Sequence, residues 1–217
     1  MGEGTEGSLN FDSANLENAT VETVRKMEVL RDYVYPLVSV LLFFAAIYAT
    51  VLIYKKLLKG VNPQPKIRMA DFPLTLRVAT LPLITGYVLT HVFSAGSVYY
   101  NTKIANPSTI LYFQAMGSGR LLSLTHAHLF AHATMYFIMA ALVQLTGAGF
   151  LFTVLAPIVA LWAGVFDVFS WWGLKQLSPN FEWLSIACGS LFSLAFILMA
   201  YVILRSALCS GCKNTQT

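Results

Sequence analysis

Leu124-Thr125-His126-Ala127-His128-Leu129-Phe130-Ala131-His132 places three of the chain's four histidines within seven residues, inside a run apolar enough to cross a membrane. The fourth, His91, lies in the preceding apolar run. Ionisable side chains at membrane depth are costly, so they mark function until shown otherwise. What those imidazoles hold is the question the remaining residues must answer.

The 217-residue chain is 57% hydrophobic and 11% charged, with a mean hydropathy of +0.65. Soluble domains carry about 25% charged residues, so this chain lacks the polar surface that water requires. It reads as an all-α polytopic bundle, and apolar runs replace domains as the unit of organisation. Residues 1 to 33 are polar and acidic without an apolar stretch of the secretory kind, so no signal peptide is expected. The net charge of +4 then matters as a topology signal rather than as a nucleic-acid footprint. Three cysteines make no disulfide framework.

Residues 1 to 20 have a disordered composition. Val21, Val24, Met27, Leu30 and Val34 recur at helical spacing among charges, which predicts a short amphipathic helix on the surface. Asn18-Ala19-Thr20 is a sequon without weight on its own. Five spans follow, over Tyr35 to Tyr54, Leu74 to Val98, Ser118 to Leu145, Phe150 to Trp172, and Phe181 to Leu204. Each is near the roughly 20 residues a bilayer needs. The chain thus divides into a polar segment 1–33, a transmembrane bundle 34–206 and a tail 207–217. A polar, mildly aromatic linker from Tyr99 to Gly117 and a tight Thr146-Gly147-Ala148-Gly149 turn join three of the spans.

Lys55, Lys56, Lys59, Lys66, Arg68 and Arg77 crowd the first connection, which the positive-inside rule places in the cytoplasm. The N-terminus is then outside and the C-terminus, with Arg205 and Lys213, inside. On that topology His91 lies about seven residues before the outer end of its span and His126 about eight after the start of the next, both roughly 10 Å deep at about 1.5 Å per residue. His128 is slightly deeper, His132 a turn deeper again, and Asp167 sits near the outer end of the fourth span.

At roughly 100° per residue, His126 and His128 point to nearly opposite sides of their helix, while His128 and His132 share a face. An i, i+2 pair is a poor chelate for one ion but can serve two sites; an i, i+4 pair can grip one ion or one cofactor. Three readings compete. The imidazoles ligate haem b, one or two, between helices walled by Leu129, Phe130, Met135, Tyr136 and Phe93, with Arg120 meeting the propionates. Alternatively His91, His126, His128 and His132, with Asp167, provide ligands for copper or zinc. In the third, the histidines only hydrogen-bond between helices, at about 1 kcal/mol or less each.

Thr125-His126-Ala127-His128 resembles the His-x-His segment of haem-copper oxidase subunit I. That resemblance implies His91 and His128 as the axial pair of a low-spin b haem, and His126 as ligand to a second. It is confined to the segment from His91 to His132, because the chain is too short for a twelve-helix subunit and has no histidines left for a copper site. More globally the chain is similar to small bacterial membrane proteins of cytochrome-like type, with a His-x-His helix followed by Asp167, Trp171, Trp172 and Lys175.

Asp167 suits the role of acceptor from a histidine N–H, with an interhelical bond to Ser, Thr or Tyr as the alternative. Trp171, Trp172 and Trp183 read as the outer aromatic belt or, less simply, as the lining of a quinone pocket; Glu182 and Lys175 read as solvated. Cys209-Ser210-Gly211-Cys212 reads as reduced thiols in a cytosolic tail, and Cys188 as a small hydrophobe. No phosphate loop, nucleophile elbow or nucleic-acid stripe is present, and no catalytic residue is assigned. The expectation is a bacterial inner-membrane b-type haem protein passing electrons between quinone or a membrane partner and an external redox protein. It would act as a subunit of a respiratory or oxidoreductase complex; a metal-handling protein or a cofactor-free structural subunit are the alternatives.

Overall fold

Apolar helices fill the computed structural model, which describes residues 13–59 and 67–208, with side chains from Val21 onward. The helices are α1 (Ser13–Val29), α2 (Tyr35–Leu57), α3 (Leu74–Tyr99), α4 (Thr109–Ala115), α5 (Ser118–Gln144), α6 (Ala156–Gln176) and α7 (Phe181–Leu208). Five continuous helical segments are long and apolar enough to cross a membrane: Val21–Leu57, Leu74–Ile104, Ser118–Gln144, Leu151–Gln176 and Phe181–Leu208. The protein is a multi-pass, all-α bundle whose surroundings are a lipid bilayer.

The expected spans are all present, but two of their ends move. The amphipathic stretch from Val21 is no separate surface helix: α1 runs into α2 through a π-helical turn at Leu30–Val34. Nothing breaks the helix there, since Pro36 falls at its tolerated first-turn position in α2. The linker after Tyr99 is also helical. It continues α3 through a second π turn, Tyr100–Ile104, and then forms α4, whose N-terminus is capped by Ser108 Oγ accepting from the Leu111 N–H at 3.2 Å. The predicted turn at Thr146 is observed, with Gly147 at φ 68° and the Thr146 hydroxyl donating to the Val143 carbonyl at 2.7 Å. Positive φ is the conformation that glycine tolerates best. The Cys209–Cys212 motif and the tail lie outside the described residues, as do residues 60–66 of the basic connection.

α6 and α7 form the central pair; α5 packs on both, α2 on α6, and α3 on α7. Lipid removes the hydrophobic drive between helices, so close packing and internal polar bonds hold them together. At one end of the bundle, Met69 N–H donates to the Leu145 carbonyl at 2.8 Å, and the Arg77 guanidinium donates to the Ala207 carbonyl through Nε at 3.0 Å and Nη2 at 2.6 Å. That arginine satisfies one of the carbonyls a helix C-terminus leaves open. At the other end, Asn180 Nδ2 donates to the Asp32 carbonyl at 2.7 Å, and Lys175 Nζ to the Met116 carbonyl at 2.5 Å.

Two buried clusters result. One gathers Ile84, Tyr136, Met139, Phe196, Met199 and Ile203; the other gathers Phe113, Leu121, Trp171, Phe181, Leu184 and Cys188. Phe192 of α7 packs against both. His91 and His132 contact Phe192 there, and His128 contacts Trp171 of the second cluster.

Candidate functional site

His91 reaches across from α3 to α7 and α5. Its ring lies flat on Phe196, with centroids 4.2 Å apart and 11° from parallel, and Phe192 stands edge-on at 5.8 Å. Its Nδ1 faces the Tyr87 carbonyl one turn back at 3.3 Å, and its Nε2 faces the Tyr136 hydroxyl at 3.3 Å. A carbonyl only accepts, so a bond to Tyr87 puts the proton on Nδ1 and leaves the lone pair on Nε2, whereas the Tyr136 oxygen can pair with either form of Nε2.

His128 is arranged in the same way on α5. Its Nδ1 lies 2.9 Å from the Leu124 carbonyl, again one turn back, which leaves Nε2 unprotonated. Its ring meets Trp171 of α6 edge-to-face at 4.9 Å, and Trp171 stacks on Phe113 of α4 at 5.7 Å. Thus α4 and α6 close one side of His128.

His132, a turn further along α5, differs. It lies against Gly164 of α6, where an added Cβ would come 2.9 Å from His132 Nδ1. Glycine is what allows α5 and α6 to approach this closely. That Nδ1 is buried and has no hydrogen-bond partner. Orphaned buried N–H groups are rarer than unpaired acceptors, so the proton belongs on Nε2. Its ring contacts Phe192 at 5.0 Å, Tyr136 at 6.1 Å and His128 at 5.9 Å.

His126 is exposed, on the far side of α5 from the buried cluster, as the i, i+2 spacing requires. Arg120 is exposed in the first turn of the same helix. Phe93 and Phe130, expected in the site wall, are 73% and 69% exposed and face lipid. Their place is taken by Phe192 and Phe196, one turn apart on α7. No ionisable group flagged that face of α7; the one available signal was the i, i+4 aromatic pair itself.

His91 sits further from the end of its helix than expected. Because α3 continues to Ile104, His91 lies more than one turn further from that span's end than a boundary at Val98 implies. It reaches the His132–Tyr136 turn of α5, and Phe192 separates its ring from that of His132.

Asp167 is buried on α6, yet no imidazole donates to it. Ser185 Oγ of α7 donates to Oδ1 at 2.7 Å, and the Trp171 side chain also bonds the carboxylate. The interhelical hydroxyl bond replaces the expected histidine contact. Among the described residues, no three His, Cys, Asp or Glu side chains come together as a metal site. The aromatic belt keeps only Trp183, 73% exposed. Trp171 is buried, and Trp172 Nε1 donates to Thr125 Oγ1 at 2.9 Å. Lys175 caps α4 through the Met116 carbonyl, and Glu182 pairs with Lys103 at 3.5 Å, so neither is simply solvated.

Residues 99–214, just over half the chain, match the family model Aq_1264_TM, a transmembrane helical domain. The searches of curated proteins and of solved structures return no match. The matched region holds α4 to α7 and every histidine except His91, and the chain belongs to this family of transmembrane helical domains.

Proposed function

We propose that this protein is a membrane-embedded b-type haem protein that passes electrons, acting as a subunit of a larger respiratory or oxidoreductase complex in a bacterial inner membrane. The observation that supports this most is the shared placement of His91 and His128: in each, Nδ1 faces the carbonyl one turn back. An Nδ1–H bonded there leaves Nε2 with its lone pair, as a metal-ligating imidazole requires. The donors come from two helices, and the aromatic surface of Phe192 and Phe196 beside His91 suits a flat apolar macrocycle. A bound haem supplies reversible one-electron chemistry; the chain supplies ligands, burial and electrostatics.

We assign His91 and His128 as ligands, each presenting its own Nε2 and not brought together in this structure, where Phe192 and His132 lie between them; exposed His126 is left for a second haem or a partner subunit. Ligation through His132 Nε2 would force the proton onto an Nδ1 that has no acceptor. That makes His132 the least suitable of the three buried-face imidazoles. Arg120, at the mouth of α5, suits a propionate. The basic first connection, with Lys55, Lys56, Lys59 and Arg68 beside it, supports a cytoplasmic C-terminus and an external N-terminus. Electrons would then run between quinone or a membrane partner and a redox protein on the outer face.

A reduced-minus-oxidised spectrum of the purified protein tests the reading. Sharp b-type bands are expected, and His91→Ala and His128→Ala should each abolish the same bands. A second reading, a copper or zinc protein, draws on the i, i+4 pair His128 and His132, whose rings lie 5.9 Å apart. A flat spectrum with stoichiometric copper or zinc would favour that; a flat spectrum with no metal would leave a structural subunit.

A further inference from the structure

The two ends of the bundle treat their cations differently. Where α7 begins, the chain supplies the partners: Lys103 pairs with Glu182 at 3.5 Å, Arg31 with Asp32 at 2.9 Å, and Lys175 donates to the Met116 carbonyl. At the opposite end, Lys55 and Lys56 close α2, Lys59 follows them, Arg68 leads toward α3, and Arg205 lies in the last turn of α7. All five are exposed, and none forms an ion pair among the described residues. Asp71, the acid beside them, already accepts the Arg68 backbone N–H at 2.7 Å. Like charges gathered at one rim repel one another unless counter-charge arrives from outside the chain.

Two of these cations border one crevice. Tyr54, the neighbour of Lys55, meets Phe150 with ring centroids 6.4 Å apart, which sets the end of α2 beside the start of the fourth span. Arg68 lies over the turn just before that span: its Nε and Cζ are 3.8 and 4.0 Å from where a Cβ on Gly147 would stand. Next to these cations the walls are apolar and uncovered, with Ile53 and Leu57 on α2 and Phe150 and Leu151 opposite. We propose that this crevice between α2 and the fourth span holds an anionic phospholipid. Its phosphate lies between Lys55 and Arg68, and its acyl chains run along Ile53, Leu57 and Leu151. The guanidinium fork can bond two phosphate oxygens at once, and the lysine adds a point charge. A free phosphate would match the cations and leave the apolar walls unused. Clusters of Lys and Arg at the ends of membrane helices are what anionic headgroups recognise. The site stands apart from the haem reading.

Native mass spectrometry of the full chain, released from nanodiscs of equal phosphatidylglycerol and phosphatidylcholine, reads which lipid stays bound. Wild type should retain phosphatidylglycerol in preference. Lys55→Gln and Arg68→Gln, both at exposed positions, should each weaken that retention about fivefold, the worth of one cation near an anionic surface. Arg25→Gln removes the same charge from the far end and should leave retention unchanged. Soluble glycerol phosphate should not displace the lipid. Equal retention of the two lipids by wild type would overturn the proposal, as would unchanged retention in Lys55→Gln and Arg68→Gln. An equal loss in Arg25→Gln would overturn it too, by showing that net charge alone draws the lipid. Displacement by glycerol phosphate would do so by showing a site for soluble phosphate.

Discussion

α6 and α3 are both apolar helices of spanning length, yet half of the apolar window of α6 is buried, against 11% of that of α3. Hydropathy does not set the burial: the Val21–Leu57 segment is the most apolar of the five and is also 11% buried, because lipid tails satisfy a Leu as well as a neighbouring helix does. Small residues set it. Ala156, Ala160, Ala163, Gly164 and Gly173 of α6 are all buried, two of them against the rings of His132 and Phe181. In α3, Gly86 and Gly96 face open space. So α6 is the axis of a close-packed scaffold, whereas α3 is an arm that leans on α7 and carries His91. The proposed site joins the two.

The scaffold should be the less forgiving of the two. At Gly173 an added Cβ would overlap the Phe181 ring, which is fully buried and cannot step aside. Gly173→Ala should cost about 3 kcal/mol, the upper range for overpacking. The loss should be visible as a lower aggregation temperature in detergent. Gly86→Ala on α3 is the matched control: its Cβ meets nothing, and it should be neutral or stabilise by up to about 1 kcal/mol, since alanine is the better helix former. Equal effects at the two glycines would break the contrast between scaffold and arm.

The arm should fail at its attachment. Arg77 is buried and its two bonds to the Ala207 carbonyl hold the start of α3 to the end of α7. Arg77→Met keeps much of the apolar stem and removes the donors. A loss of about 2 kcal/mol is expected, as for hydrogen bonds from a charged group. The loss should appear as faster proteolysis of α3 ahead of α5 to α7. Uniform cleavage across the chain would show that α3 is no separate arm.

The same contrast explains what the sequence made legible. The five spans and the Thr146 turn could be read because length, apolarity and glycine chemistry act locally. The separation of His126 from the buried-face histidines could be read because helical angle is local too. The continuation of α3 to Ile104 could not, because Asn101, Thr102 and Lys103 look like a linker. In the structure their polarity is absorbed within the helix: Thr102 Oγ1 donates to the Val98 carbonyl at 2.7 Å, and Asn101 Nδ2 to the Ser97 carbonyl at 2.8 Å. With the helix running on to Ile104, His91 lies further from its span's end than expected, and it meets Tyr136 of α5. Phe192 and Phe196 were hidden for another reason: in an apolar helix nothing but three-dimensional proximity selects two phenylalanines among many. Trp171 and Trp172 followed a statistical preference for interfaces that packing against His128 and Thr125 overrode.

Asp167 offers the finest division, because it belongs to the scaffold, lies near the histidines and is bonded to neither His128 nor His132. If its work is to fasten α6 to α7, its energetics should depend on Ser185 alone among residues of other helices. Ser185→Ala removes the α7 donor and leaves Asp167 Oδ1 short of a partner, which should cost about 1 to 2 kcal/mol. Asp167→Leu with Ser185→Ala removes the interhelical pair and strands the Trp171 N–H on the same helix, a cost near that of the single variant. The double variant should therefore be about as stable as Ser185→Ala alone, with any haem bands unshifted. A carboxylate that tuned an imidazole would behave otherwise: Asp167→Leu would shift the spectrum whatever its effect on stability. The two readouts separate a fastener between helices from a partner of the site, and the 2.7 Å bond to Ser185 points to the fastener.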